Sequence, residues 1–317
     1  MKIITIDKDN DGVRLDRILR KQLKSIPLSL IYQKIRRGII RVNRKRTKQN
    51  YRVKEGDSIQ INTLAIDSGN MDTFKLKKID SLFKTAFFKN NFQIIFEDEN
   101  LLVCNKPAGL VVHSGTGHNT QKTLIDLATG YLRNSFKKKT AEPILVHRLD
   151  KDTSGIILIA KNRQILRTLH ANIRTHSIEK KYTAICHGTP LKSKGIIDVS
   201  LKRTHFKNSG TKMTVSTQGK KALSSYRVIA IKNNLSQIEI DLHTGKTHQI
   251  RVHLSHIGCP IIGDKRYGNS ELDIELFRTD SWQQRLYLHA DQISFFYQEM
   301  NKKVTFSAPA PAGFTLS

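Results

Sequence analysis

Apolar positions along the chain follow two regimes. Within residues 12–62, Leu15, Ile18, Leu19 and Leu23 stand at i, i+3, i+4 and i+8, one face of a helix whose other faces carry Arg14, Arg17, Arg20, Lys21 and Lys24. After Pro27 the spacing predicts a second helix, capped by Ser29 and ended by Gly38. Two strand-like pieces follow, "IIRVN" and "DSIQIN", separated by the basic "RKRTKQNYRVKEG". Residues 63–90 read as a linker: Ser68, Gly69 and Asn70 open it flexibly, and Ile79, Leu82, Phe83, Ala86 and Phe87 then keep helical spacing, as in a helix docked on a neighbour.

From residue 91 the apolar residues come as short runs punctuated by turns. "FQIIFEDENLLVCNKPAGLVVH" predicts strand, turn, strand, a Pro-Ala-Gly turn and a third strand. "QKTLIDLATGYL" and "RQILRTLHANIRTH" predict helices, the second with Ile165, Leu166, Leu169 and Ile173 on one side. Strands then dominate: "KYTAICHG", "ALSSYRVIAI", "LSQIEIDLH", "LYLHADQISFFY" and "KVTFSAP". Hairpin-like neighbours with interspersed helices make residues 91–317 an α+β domain, a largely antiparallel mixed sheet flanked by helices, beside a small α/β module at 12–62.

Charge sharpens this picture. Lys and Arg number 54 against 27 Asp and Glu, a net charge of +27, and a two-to-one excess points to a polyanionic partner because neutralising phosphates releases counterions. Residues 12–60 hold 15 of these cations and only the acids Asp16, Glu55 and Asp57. Charge alone does not separate RNA from DNA. Cys104, Cys186 and Cys259 are far apart and odd in number, which suggests neither a disulfide framework nor a CxxC metal pair, and a reducing cytoplasm is expected. "MKIITIDKDNDG" lacks the features of a signal peptide, and no apolar run approaches the roughly 18 residues of a membrane span.

Candidate chemistry centres on "ILVHRLDKDTSG", where Asp150 and Asp152 stand in a polar loop between two apolar runs of strand length. One reading pairs them as the aspartates of a Mg²⁺-dependent phosphotransferase, with "GDK" at 263–265 as a second metal segment. Several carboxylates are needed to hold a hard cation, however, and these stand among Arg148, Lys151, Lys265 and Arg266. Asp152 can instead accept hydrogen bonds within its own tight loop. A second reading takes His243, His248, His253 and His256 as a zinc cluster, but their spacing fits no HExxH pattern, and most of them read as surface or phosphate contacts. No metal is expected.

A third reading joins whole segments. Residues 12–62, with the "RGIIRVNRKR" and "VKEGD" turns, resemble the S4 domain, a small RNA-binding module, which implies RNA contacts from Arg14, Arg17, Arg36, Arg37, Arg41, Arg44, Lys45 and Arg46. "HRLDKDTSG" resembles the catalytic motif of the RluA-type pseudouridine synthases. "LLVCNKPAGLVVH", "KKYTAICHG" and "LHTGKTHQIRVHLSHIGCPIIGDKRYG" resemble their first, tyrosine and arginine motifs. "LRKQLKSIPLSLIYQKIRRGIIRVN" is most similar to the RluC-like branch, enzymes of 23S ribosomal RNA.

The resemblance implies isomerisation of uridine to pseudouridine without cofactor, metal or second substrate. Its partner would be ribosomal RNA or a large-subunit precursor, its place the cytoplasm, and a monomer would suffice. Asp150 matches the family's catalytic aspartate, Arg251 the arginine that pairs with it, and Tyr182 the tyrosine that lies against the base. Ile250, Lys106 and Pro107 would shape the pocket floor, and Arg148 is placed to fill the gap left by a flipped uridine. Lys151 departs from the pattern, standing where Arg is frequent. The alternatives are a non-catalytic S4 RNA-binding factor and a synthase acting on another RNA such as tRNA.

Overall fold

The computed structural model describes residues 2–23, 28–62, 92–113, 123–136, 143–206, 210–278 and 282–316, without side chains at 28–30 and 136. The expected linker at 63–90 lies outside the described residues. The chain divides into two compact units, residues 1–78 and 79–317.

In the first unit β1 (Lys2–Thr5), α1 (Leu15–Gln22), α2 (Leu28–Arg36), β2 (Ile40–Val42) and β3 (Ser58–Ile61) form two helices against a three-stranded antiparallel sheet of order β1-β3-β2. Leu15, Ile18 and Leu19 are buried with Ile31, Ile35, Ile40, Ile59 and Ile61, as the i, i+3, i+4 spacing requires. Gly38 takes φ +71 after α2, the left-handed conformation that ends a helix at glycine, and its N–H donates to Ile35 O at 3.0 Å. Ser29, expected as a cap, falls inside α2.

The second unit contains β4 (Gln93–Glu97), β5 (Leu101–Lys106), α3 (Leu124–Phe136), β6 (Ile144–Leu145), β7 (Ser154–Ala160), α4 (Arg163–Arg174), β8 (Glu179–His187) and β9 (Lys194–Asp198). It continues with β10 (Leu201–Phe206), β11 (Gly210–Val215), β12 (Leu223–Lys232), β13 (Leu235–Leu242), α5 (Gln249–His256), α6 (Ser270–Leu276), β14 (Leu288–Tyr297) and β15 (Lys302–Ser307). The main sheet runs β4-β5-β7-β14-β8-β13-β12-β9, with β15 beside β14 and β6 beside β7, while β10 and β11 form a separate hairpin. Every pairing is antiparallel except the short β7–β14 one, His289 to Ser154 and Ala290 to Gly155.

Sequence alternation explains how the sheet is covered. Leu102, Cys104, Ile157 and Ile159 share a buried cluster with Leu124, Leu127 and Ala128 of α3. Leu101, Val103, Ile156 and Leu158 share another with Ile165 and Leu169 of α4. Successive strand residues point to opposite faces, so the unbroken "IILIA" of β7 reflects burial on both sides. Cys186 and Cys259 are buried in a third cluster, with Tyr182, Ile250 and Leu254.

The third strand expected at 110–113 does not form. Its carbonyls are already engaged: Val111 O and Val112 O accept the N–H groups of Leu124 and Ile125, which the first turn of α3 leaves without helical partners, and Leu110 O accepts Lys106 Nζ. No described helix is long and apolar enough to cross a membrane.

Candidate active site

One cross-strand row sets the site. Lys106 of β5 pairs with Gly155 of β7, Gly155 with Ala290 of β14, Ala290 with Tyr182 of β8, and Tyr182 with Ile240 of β13. Tyr182 therefore stands two strands, about 10 Å, from the start of β7, where the loop carrying Asp150 ends. The close approach of β7 to β14 demands glycine: Gly155 has φ +113, and a Cβ there would lie 2.2 Å from Ala290 O.

Lys106 fastens the Asp150 loop from beneath. Its side chain is fully buried and its Nζ donates to Lys151 O at 2.8 Å, Pro107 O at 2.8 Å and Leu110 O at 3.0 Å. Burial pushes its pKa down to about 7, with Asp152 and Asp150 opposing the shift. Gly109 N–H also donates to Lys151 O. Lys106, expected on the pocket floor, thus braces the loop, while Pro107, expected there too, supplies one of the carbonyls that hold its ammonium; both stand outside the cavity lining.

The opposite wall comes from α5 and the turn before it. Gln249 is buried and fully bonded: Oε1 accepts from Lys246 N–H and Thr244 Oγ1, while Nε2 donates to Leu223 O and Ser224 Oγ. This ties the 244–248 turn to β12. His248 enters α5 with φ +55, and Arg251, one turn on, faces the loop of Asp150.

Arg251 joins two carboxylates. Nε and Nη2 donate to Asp264 Oδ2 and Oδ1, both at 2.7 Å, and Nη1 donates to Asp150 Oδ2 at 3.1 Å. Asp264, 3 % exposed, also accepts the N–H groups of Arg266 and Tyr267 on Oδ1. Burial alone would raise its pKa, but Arg251 and these backbone donors bring it below the usual carboxylate range. Burial likewise works against the Arg251 cation, and Asp264 and then Asp150 more than restore it. The Tyr267 ring stacks near the guanidinium, 5.2 Å from centroid to Cζ.

Between these walls is a cavity of about 120 Å³ lined by Arg148, Asp150, Tyr182, His248, Ile250 and Arg251, with Leu149, Leu242 and Leu288 supplying apolar surface. Tyr182 is buried, and burial followed by the Asp150 charge holds its hydroxyl protonated well above the ordinary tyrosine range. Arg148 is exposed at the cavity's edge, with no ion pair among the described residues. On the far side of Arg251 a larger hollow of about 870 Å³ is lined by Asp152, Lys265, Arg266 and Arg285.

Asp264 of "GDK" is committed to Arg251, and among the described residues no three His, Cys, Asp or Glu side chains are grouped to hold a metal. Asp152 is exposed and accepts no hydrogen bond from its own loop among the described residues. His243 and His256 are exposed, but His253 is buried with both ring nitrogens unpartnered among the described residues. His248 Nε2 lies 3.8 Å from Asp150 Oδ2. The arginine motif contains His248, Gln249, Asp264 and Tyr267, but its letters alone give these residues no place beside Asp150.

All eight cations expected to hold RNA in the first unit are exposed. Arg14 forms a two-point pair with Asp16, and with Arg17, Arg20, Arg52 and Tyr32 it borders a hollow of about 660 Å³. Arg36, Arg37, Arg41, Arg44, Lys45 and Arg46 follow one another along the end of α2 and the loop around β2.

An aspartate and a buried tyrosine thus line one cavity, with an arginine bonded to that aspartate and anchored by a second one, on a mixed sheet in a chain that also carries a small basic unit. Residues 100–256 match the RNA pseudouridylate synthase family and residues 13–59 the S4 domain. The ribosomal large subunit pseudouridine synthase C of Buchnera aphidicola subsp. Schizaphis graminum (strain Sg) is 38% identical over 99% of this chain and 95% of its own. The protein of that name from Escherichia coli (strain K12) is 32% identical over 99% of this chain and 94% of its own. Among solved structures, human RNA pseudouridylate synthase domain containing 4 superposes with a TM-score of 0.60 at 26% identity, covering 75% of this chain and 95% of its own. The chain belongs to the RNA pseudouridylate synthase family, RluA type, and carries an S4 domain. It is an RNA pseudouridine synthase.

Proposed function

We propose that this enzyme isomerises uridines of large-subunit, 23S-type ribosomal RNA, as the names of its relatives suggest, working in the cytoplasm on a base flipped out of the RNA. The observation that carries the mechanism is the single bond between Arg251 Nη1 and Asp150 Oδ2. A carboxylate held at one oxygen beside a fixed cation stays ionised yet keeps Oδ1 unengaged among the described residues.

The reaction breaks the N1–C1′ bond, turns the uracil and joins its C5 to C1′, after which C5 loses its proton. Asp150 acts on the nucleoside as nucleophile or base. Tyr182, on the same cavity wall, packs against the uracil with its hydroxyl protonated, suited to donating a hydrogen bond to the base. Arg251 keeps the charge of Asp150 in place, and Ile250 closes the apolar side. A stacked uridine cannot enter so small a cavity. Flipping costs a few kcal/mol, and the guanidinium of Arg148 at the cavity's edge, without an ion pair among the described residues, would stack into the gap.

Tritium release from ribosomal RNA labelled at uridine C5, in the presence of EDTA, tests the reading. Wild type is expected to release the label from 23S RNA or its precursor subunit and the Asp150→Asn variant is not. Release from transfer RNA alone would move the substrate, and release by the variant would remove Asp150 from the chemistry.

A further inference from the structure

The hydrogen bonds of Tyr267 bear on which nitrogen of His248 carries its proton. Tyr267 Oη accepts Met213 N–H at 3.0 Å and lies 2.8 Å from His248 Nδ1. The phenol has one proton to give, and His248 Nδ1 is its one hydrogen-bond acceptor among the described residues. With that proton given to Nδ1, this is the bare nitrogen and the ring proton sits on Nε2. That nitrogen lies 3.8 Å from Asp150 Oδ2 and lines the same cavity. The distance is too long for a hydrogen bond in the free enzyme, a usual state for catalytic contacts that tighten on substrate.

The backbone supports a purpose for this placement. His248 has φ +55, a conformation uncommon for a residue with a side chain, and the fully bonded Gln249 beside it fixes the turn. The groups facing the ring are Asp150 from the loop before β7, Arg251 from α5, and Asp264, Arg266 and Tyr267 from the segment after it. Burial is the leading influence and lowers the imidazole's pKa, favouring the neutral ring that the Tyr267 bond requires.

We propose that His248 is a positioning residue of the isomerisation: a neutral Nε2–H donor that steadies the Oδ2 side of Asp150, with its tautomer set by Tyr267. Asp150 then has one charged donor, Arg251, and one neutral donor. The inference rests on the reading of Asp150 as the acting carboxylate.

The test compares His248→Gln, which keeps an N–H near the place of Nε2, with His248→Leu, which does not. Both carry a side chain at the same left-handed backbone position, so their difference isolates the donor. Single-turnover pseudouridine formation is expected to stay within about tenfold of wild type for the Gln variant and to fall about a hundredfold for Leu, with RNA affinity equal in both. Nitrogen-15 spectra of the histidine rings should show His248, assigned by its absence from the Gln variant, as the Nε2–H form in wild type and as a mixture in Tyr267→Phe. Equal rates for Gln and Leu, or an Nδ1–H ring in wild type, would overturn the proposal. A wild type that forms no pseudouridine would instead overturn the functional reading beneath it, while the spectra still reported the tautomer.

Discussion

Asp264 does not line the cavity beside Asp150, yet the placement of Arg251 depends on it. Two of the guanidinium's three bonds to carboxylates end there, in a nearly inaccessible place. Removing one partner of such a pair leaves a buried charge uncompensated. Asp264→Asn is therefore expected to lose about 3–5 kcal/mol of stability in urea unfolding, and to lower turnover more than RNA affinity. His253 supplies a second prediction. Burial, and next the neighbouring His256, push its pKa down to about 4, with Asp198 opposing. Below the ordinary histidine value near 6.5, the unfolded chain takes up a proton that the folded chain refuses. Its contribution to stability is thus complete above that pH and declines as pH falls toward 4. His253→Leu should flatten this part of the dependence of the urea midpoint on pH; an unchanged slope would count against it.

At the scale of elements, the row from Lys106 to Tyr182 makes Gly155 the most constrained joint of the site. Gly155→Ala puts a methyl group into Ala290 O at φ +113, so the melting temperature should drop by several degrees, with activity lost well below the new transition. The sequence made much of this scale legible: the faces of α1 and α4, the strands on either side of Asp150, and the three residues Asp150, Tyr182 and Arg251, which lie inside recognisable motifs. What it hid depended on pairing across long separations. Leu110–Val112 has strand composition, but its carbonyls are taken by α3 and Lys106. Asp264 sits in a run of cations that reads as surface or metal ligand until the chain's return from α5 brings it to Arg251. Lys106 has the look of a pocket residue because nothing local reveals three carbonyls converging on its ammonium.

At the scale of the whole molecule, a net charge of +27 draws RNA to the protein without choosing a uridine. The exposed cations of the first unit should therefore affect binding and leave chemistry alone. Replacing Arg36 and Arg37 by Ala is expected to weaken RNA binding at moderate salt. The slope of log affinity against log salt should decrease by about 0.7–0.9 for each phosphate that is no longer neutralised, while the single-turnover rate at saturating enzyme stays as it was. A fall in that rate would mean that these arginines also orient the strand.

The burial of all three cysteines carries a further consequence. Cys104 lies beneath α3, whereas Cys186 and Cys259 lie beneath the wall that holds Tyr182 and Ile250, and burial keeps their thiols protonated and poorly reactive. An alkylating reagent can reach them only when the surrounding structure opens. The native enzyme thus contains reporters of breathing in two separate buried clusters of its catalytic unit. Bound RNA that braces the cavity should slow labelling at Cys186 and Cys259 more than at Cys104, a comparison that mass spectrometry can read on the unaltered chain.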